Sequence, residues 1–308
     1  IAEVASRLPE TGCTAFLPTI VSSFGDRYRR VFDALPGTVD VPGARVLGLH
    51  LEGPFLAPGK RGAHALDAIE AADDALFQEL LAEDSVRLVT LAPERPGALH
   101  RITRLVERGV LVSLGHSEAT FEQFETGIDA GARMATHLFN AMSQLDSRAP
   151  GAVGAALLDE RVTVGVIADA IHTHAANLAL TARAKGPHGI ALVSDMMAAA
   201  GMPPGNYSLN DIPVTVDETS ARLAAVVQLG SEERCEAIDA HLLRHHFERI
   251  LFVLVTKVRE VLMAVHGVVV DGQLGIDRDH AAVSGERKRI DLHETRVRGA
   301  GGLVEGLG

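Results

Sequence analysis

The 308-residue sequence has little cysteine: Cys13 and Cys235 are its only two. Two thiols this far apart make no disulfide framework and no cysteine metal motif, which suits a reducing compartment and a cytoplasmic protein. Also lacking is any apolar run approaching the ~20 residues needed to span a bilayer, and no signal peptide opens the chain. Basic residues are in deficit, 29 Lys and Arg against 40 Asp and Glu, for a formal net charge of −11. That balance excludes a general nucleic-acid or anionic-membrane surface, so an anionic substrate has to be held by local groups. No internal repeat or low-complexity tract stands out. What remains is ordinary globular material, 47% hydrophobic and 22% charged, at a length that matches one α/β barrel with insertions. The chain opens on Ile, and IAEVASRL reads as a helix already under way, so the amino end reads as a cut.

Strand and helix patterns alternate along most of the chain. A helix at 2–8 leads to a short strand at 15–19 ended by Pro, then a helix at 26–35 and a strand at 45–51. A helix at 67–81, a strand at 86–94, a helix at 98–107 and a strand at 110–114 follow. Next come a helix at 118–130, a strand at 132–136, a strand at 162–167, a helix at 175–184 and a strand at 190–193. About seven strands separated by helices before residue 200 imply repeated βαβ units and a parallel sheet. Beyond residue 224 the text changes. An amphipathic helix at 235–265 and a hairpin around Asp271-Gly272 are expected there, with no assignable function.

Chemistry recurs at the strand ends. The run that ends in His50-Leu51-Glu52-Gly53-Pro54 delivers a histidine and a carboxylate where a strand stops. The same event returns at Gly115-His116-Ser117, at Thr136-His137, at Asp169 with His172, and at Ser194-Asp195. In a barrel the carboxyl ends of the strands form the active-site mouth. A catalytic divalent metal takes two or three nitrogen or carboxylate ligands with a position left open, and Glu52, His116 and His137 offer such a set. Taken singly each has an ordinary explanation: a loop acid, a helix cap, a packed core histidine. Asp195, ending IALVSD, is the candidate acid–base group, facing the mouth rather than bulk solvent; the alternative is an N-cap. His64 and His172 are candidates for orienting a substrate, whereas His100, His174 and His188 read as surface residues. Thr136 to Met142 with Arg148-Ala149-Pro150-Gly151 suggests an anion site of backbone amides and a guanidinium.

HLEGPF at 50–55, GHS at 115–117, THLFNAM at 136–142, R-x-PG at 148–151, IADAIHTH at 167–174 and LVSDMMAAAG at 192–201 together resemble the N-acetylglucosamine-6-phosphate deacetylases of the amidohydrolase superfamily. The likeness covers roughly residues 1–224. It implies a metal-dependent TIM-type (β/α)8 barrel that removes the acetyl group of a small amino sugar phosphate. By resemblance, Glu52, His116 and His137 hold the metal, Zn²⁺ before Fe²⁺, Mn²⁺ or Co²⁺, and Asp195 is general base and then acid. His64 and His172 then contact the substrate, the Asn140-Ala141 backbone meets the phosphate, and Arg148 reaches the neighbouring subunit's site in a homodimer. The resemblance also implies an incomplete barrel. The family's first strand, with its His-x-His motif, and its small β-sandwich domain would lie upstream of residue 1. Residues 225–308 do not follow the family's ending. A deacetylase for another N-acetylated amino sugar phosphate and a weakly active or inactive remnant are the alternative readings.

Overall fold

The computed structural model describes residues 1–34, 41–197, 199–200, 202–209, 212–217 and 221–223. The helix and hairpin expected within 225–308 lie outside these residues. Seven parallel strands form the main sheet, each set beside the next by a crossover. The chain makes β1 (Ala15–Phe16), β2 (Thr19–Val21), β3 (Arg45–Val46), β4 (Leu49–Glu52), β5 (Val86–Leu91) and β6 (Leu111–Leu114), then β7 (Met134–Ala135), β8 (Thr163–Val166) and β9 (Ile190–Leu192). The main sheet runs β2-β4-β5-β6-β7-β8-β9, and β1 pairs only with β3. Seven parallel strands match the number the sequence implies. An antiparallel sheet of β10 (Gly205–Leu209), β11 (Ile212–Val216) and β12 (Ala221–Leu223), absent from the sequence reading, follows. No helix among the described residues is long and apolar enough to cross a membrane.

Several boundaries differ from the sequence reading for identifiable reasons. The single strand expected at 45–51 is two, because the backbone changes partners at Gly48. Leu47 donates to Phe16 O, whereas Leu49 donates to Ser85 O. Gly48 makes that switch at φ +127°, and a Cβ there would stand 2.7 Å from Ser85 O. The strand expected at 15–19 likewise breaks at Pro18, so the sheet strand is Thr19–Val21. The helix expected at 67–81 is two, Leu66–Glu70 and Asp74–Ala82, since the Asp73 side chain accepts the Leu76 N–H and starts a new helix. Helix Gly151–Leu158 was not anticipated. GAVGAALL is buried on every side through Leu157, so it carries no amphipathic period to read.

The two faces of the sheet do different work. Leu51, Val89, Leu91, Val112, Leu114, Ala135, Val164 and Val166 alternate toward the helices, where they form a continuous core with Phe77, Ile102, Leu105, Phe124, Ile128 and Val153. The opposite, inner face takes His50 and Glu52 of β4, Thr90 of β5 and Ser113 of β6. Adjacent strands stand ~4.8 Å apart, so a flat sheet would hold β4 and β7 roughly 14 Å from one another. Glu52 of β4 nevertheless lies 3.2 Å from His137, just beyond β7. The sheet is therefore curled, and the curl turns strand ends that are distant in order into neighbours.

Phe124 is fully buried on helix Phe121–Asp129, which the Thr120–Gln123 capping box starts. Phe124→Ala should lower the unfolding free energy by about 3–5 kcal/mol in urea denaturation. A loss below about 1 kcal/mol would place this helix outside the core.

Candidate metal centre

Glu52 is the last residue of β4, His116 stands two residues past β6, and His137 two residues past β7. All three side chains are buried, and their ligand atoms lie within 4.8 Å of one another. Glu52 Oε1 is 3.1 Å from His116 Nε2 and 3.2 Å from His137 Nε2, and the two Nε2 atoms are 3.0 Å apart. Burial pushes the Glu52 carboxyl upward, but the hydrogen bonds and charge that His116 and His137 supply when protonated outweigh it and hold the group well below its ordinary value. His137 is pushed down most by burial, but its hydrogen bond with Glu52 and the negative charges of Glu52 and Asp195 together outweigh that, for a net rise.

The hydrogen-bond network assigns different tautomers to His116 and His64, two of the three histidines beside Glu52. His116 Nδ1 is 2.7 Å from Lys60 O, and a carbonyl only accepts, so the proton of a neutral His116 sits on Nδ1 and the Nε2 lone pair faces Glu52. His64 is the reverse. Its Nδ1 accepts the Ser22 N–H at 3.1 Å, so its proton sits on Nε2, 3.7 Å from Glu52 Oε2. Burial, opposed by Glu52, pushes His64 down to about 4, so the ring is neutral at pH 7. His116 thus presents an electron pair and His64 a donor to the same space.

The residues fit a divalent cation. Two imidazole nitrogens and a carboxylate oxygen at 3.0–3.2 Å match the ~3–3.5 Å spacing of atoms that share an ion at ~2.0–2.2 Å. Protons can bridge only some of these contacts between acceptor atoms. A cation satisfies all three. His137 Nδ1 is buried without a hydrogen-bond partner among the described residues.

The other candidates surround this cluster unevenly. Asp195 lies three residues beyond β9, with an exposed side chain rather than one turned wholly inward. Partial desolvation and then the Glu52 charge push its carboxyl up, against the pull of His137, His172 and His116. No helix begins after it among the described residues, so the N-cap alternative fails. His172 Nδ1 is 2.5 Å from Asp169 Oδ2, while Asp169 Oδ1 accepts the Ile171 and His172 N–H groups. Asn140 donates its N–H to His137 O and its side-chain amide toward Thr173 Oγ1. Ala141 O accepts the Ser117 N–H, which ties the two loops together. Arg148 is exposed, and its guanidinium has no partner among the described residues. As expected, His100 and His188 are exposed, and exposed His174 caps helix Ala175–Lys185.

Backbone strain gathers at the same edge. Among the described residues, the non-glycine positions with positive φ are His116 (48°), His137 (28°), Phe139 (76°), Ala141 (49°), Ala170 (61°) and Asp195 (48°). Such conformations cost of order 1–3 kcal/mol each and persist where surrounding structure enforces them. The sequence reading gave no role to Glu94, whose carboxylate holds the Ser117 hydroxyl at 2.7 Å and the Glu118 N–H at 2.6 Å. Nor did it weigh Asp169 as the partner of His172. Glu94 had the signal used elsewhere, an acid at the end of an apolar run, and Asp169 stood three residues before a histidine.

No family model matches the chain. It is 41% identical over 256 residues to the human N-acetylglucosamine-6-phosphate deacetylase, a match covering 79% of this chain and 62% of the relative. It is 43% identical over 170 residues to an N-acetylgalactosamine-6-phosphate deacetylase of Escherichia coli O157:H7, covering 54% and 45% respectively. Among solved structures it is similar to a variant N-acetyl-D-glucosamine-6-phosphate deacetylase of Mycobacterium smegmatis in complex with N-acetyl-D-glucosamine-6-phosphate. That likeness has a TM-score of 0.62 and 36% identity and covers 70% of this chain and 56% of the other. The chain spans about three-fifths of the length of such relatives.

Asp169 raises His172 through a hydrogen bond, burial opposing. A raised folded-state pKa contributes stability that is fully present below the free value of about 6.5 and is lost as pH rises through the higher folded value. In an NMR titration the His172 midpoint should lie above 6.5 and fall in Asp169→Asn. An unchanged midpoint would remove the pairing.

Proposed function

We propose, for a chain homologous to the N-acetylglucosamine-6-phosphate deacetylases, that this protein hydrolyses the acetamide of N-acetylglucosamine 6-phosphate to glucosamine 6-phosphate and acetate. The observation that supports it most is the buried Glu52–His116–His137 cluster at the carboxyl ends of the strands of a curled parallel sheet. A seven-stranded parallel sheet whose strands lie in chain order supports reading it as part of a (β/α)8 barrel, open between β9 and β2. A divalent ion on those residues, Zn²⁺ by the mixture of nitrogen and oxygen donors, with Fe²⁺, Mn²⁺ or Co²⁺ as substitutes, would acidify a water and polarise the amide carbonyl.

The remaining steps belong to the chain's own side chains. Asp195 takes a proton from the attacking water as the C–O bond forms, and returns it to the amine nitrogen as the C–N bond breaks. A carboxyl pushed above its ordinary value suits a group that must hold that proton between the two steps. His64, with its proton fixed on Nε2, donates to the substrate. His172, aligned by Asp169, contacts the sugar. The Asn140-Ala141 backbone and Arg148 hold the phosphate, with Arg148 serving the partner subunit's site in a homodimer, and a guanidinium is the group suited to clamp a dianion.

Two variants test these roles. Asp195→Asn should keep the metal and lose on the order of 10²–10⁴-fold in acetate release; joint loss of metal and turnover would make it a ligand instead. Arg148→Ala should weaken binding of the 6-phosphate sugar far more than of plain N-acetylglucosamine. Equal losses for both would remove the phosphate assignment. The galactosamine epimer is a second reading, favoured by the Escherichia coli relative. The ratio of kcat/KM for the two epimers decides between them.

A further inference from the structure

His50 is the titratable member of the HLEGP stretch that this chemistry leaves unused, and its surroundings are unusual for a parallel sheet of this kind. The inner face of a barrel is ordinarily filled by layers of branched apolar side chains. Here a chain of polar groups crosses it. Thr19 Oγ1 on β2 meets His50 Nδ1 at 3.1 Å, and His50 Nε2 meets Thr90 Oγ1 at 2.8 Å. Thr90 Oγ1 is 2.8 Å from Thr136 Oγ1, which is 2.6 Å from Ser113 Oγ on β6. The chain runs from an exposed threonine to fully buried hydroxyls at Thr90 and Ser113. Burial, partly offset by Glu52, keeps the His50 ring neutral, so one nitrogen donates and the other accepts.

We infer that this hydrogen-bond chain is the positioning device that sets the relative heights of the three strands carrying Glu52, His116 and His137. The inference rests on the metal reading above. Three of its members stand one to three residues before a ligand in the chain: His50 is two residues before Glu52 on the same face, Thr136 directly precedes His137, and Ser113 is three residues before His116. Thr90 sits at the centre, in register with Glu52 on one side and Ser113 on the other. A buried polar chain is costly unless fully paired, so one arrangement of these strands is favoured over its neighbours. Sliding a strand by one residue, ~3.3 Å, would break its links and flip its side chains to the other face. An apolar layer would tolerate smaller slips, and ligand atoms 3.0–3.2 Å apart do not.

The test is ion affinity rather than turnover. Zn²⁺ binding is measured by competition with a chromophoric chelator on the folded protein. His116→Ala should abolish the site; unchanged binding there would sink the metal reading and this inference together. With that site established, Thr90→Val, which keeps the shape and removes the hydroxyl, should bind about tenfold more weakly, the low end of the loss typical for groups that orient ligands from behind. Thr90→Ser should restore parental affinity to within about twofold. Val as tight as parent, or Ser as weak as Val, would overturn the inference. Should Thr90→Val not fold, Ser113→Ala at the buried end of the chain should still weaken binding severalfold, and parental affinity in it would count against the proposal.

Discussion

One buried carboxylate organises the site. Glu52 is 5% exposed at the end of β4, a position where an unpaired charge would be prohibitive. Two histidines reach it from strands two and three places away, which only a curled sheet permits. The curl is in turn fixed by the outer face, where the apolar residues of β4 to β8 pack against successive helices. The same alternation that buries Leu51 outward turns Glu52 inward, so folding energy and site geometry come from one period-2 pattern.

Around that carboxylate, chemistry is assigned by hydrogen-bond partners rather than by residue type. His116 and His64 are both buried histidines beside Glu52, yet the Lys60 carbonyl makes one present a lone pair and the Ser22 amide makes the other present a proton. The strained backbone at His116, His137 and Asp195, each just past the carboxyl end of a strand, shows that the surrounding structure, and not local preference, places these groups. Asp195 differs from the others in its exposure, which suits a group that exchanges protons with substrate rather than one that stays bound to an ion.

Much of this was legible in the sequence, because parallel strands between helices announce themselves by apolar runs and the reactive residues stand where those runs stop. Glu52, His116 and His137 could be proposed as a set for that reason, and the structure brings them together. What could not be read depends on partners distant in sequence. The switch at Gly48 is set by Ser85 and Phe16, and the all-apolar helix Gly151–Leu158 has no polar face to mark its period. The tautomers of His64 and His116 are decided 42 and 56 residues away. His50 could be picked out, but the row of hydroxyls it joins comes from four other segments of the chain.

The central claim is that Glu52, His116 and His137 hold one divalent ion together. X-ray absorption at the zinc edge of the Zn²⁺-loaded protein tests it most directly. The account predicts a first shell of two imidazole nitrogens, a carboxylate oxygen and further oxygen at about 2.0–2.2 Å, with the imidazole signal reduced by half in His137→Ala. A shell of oxygen alone, or one containing sulfur at about 2.3 Å, would contradict it.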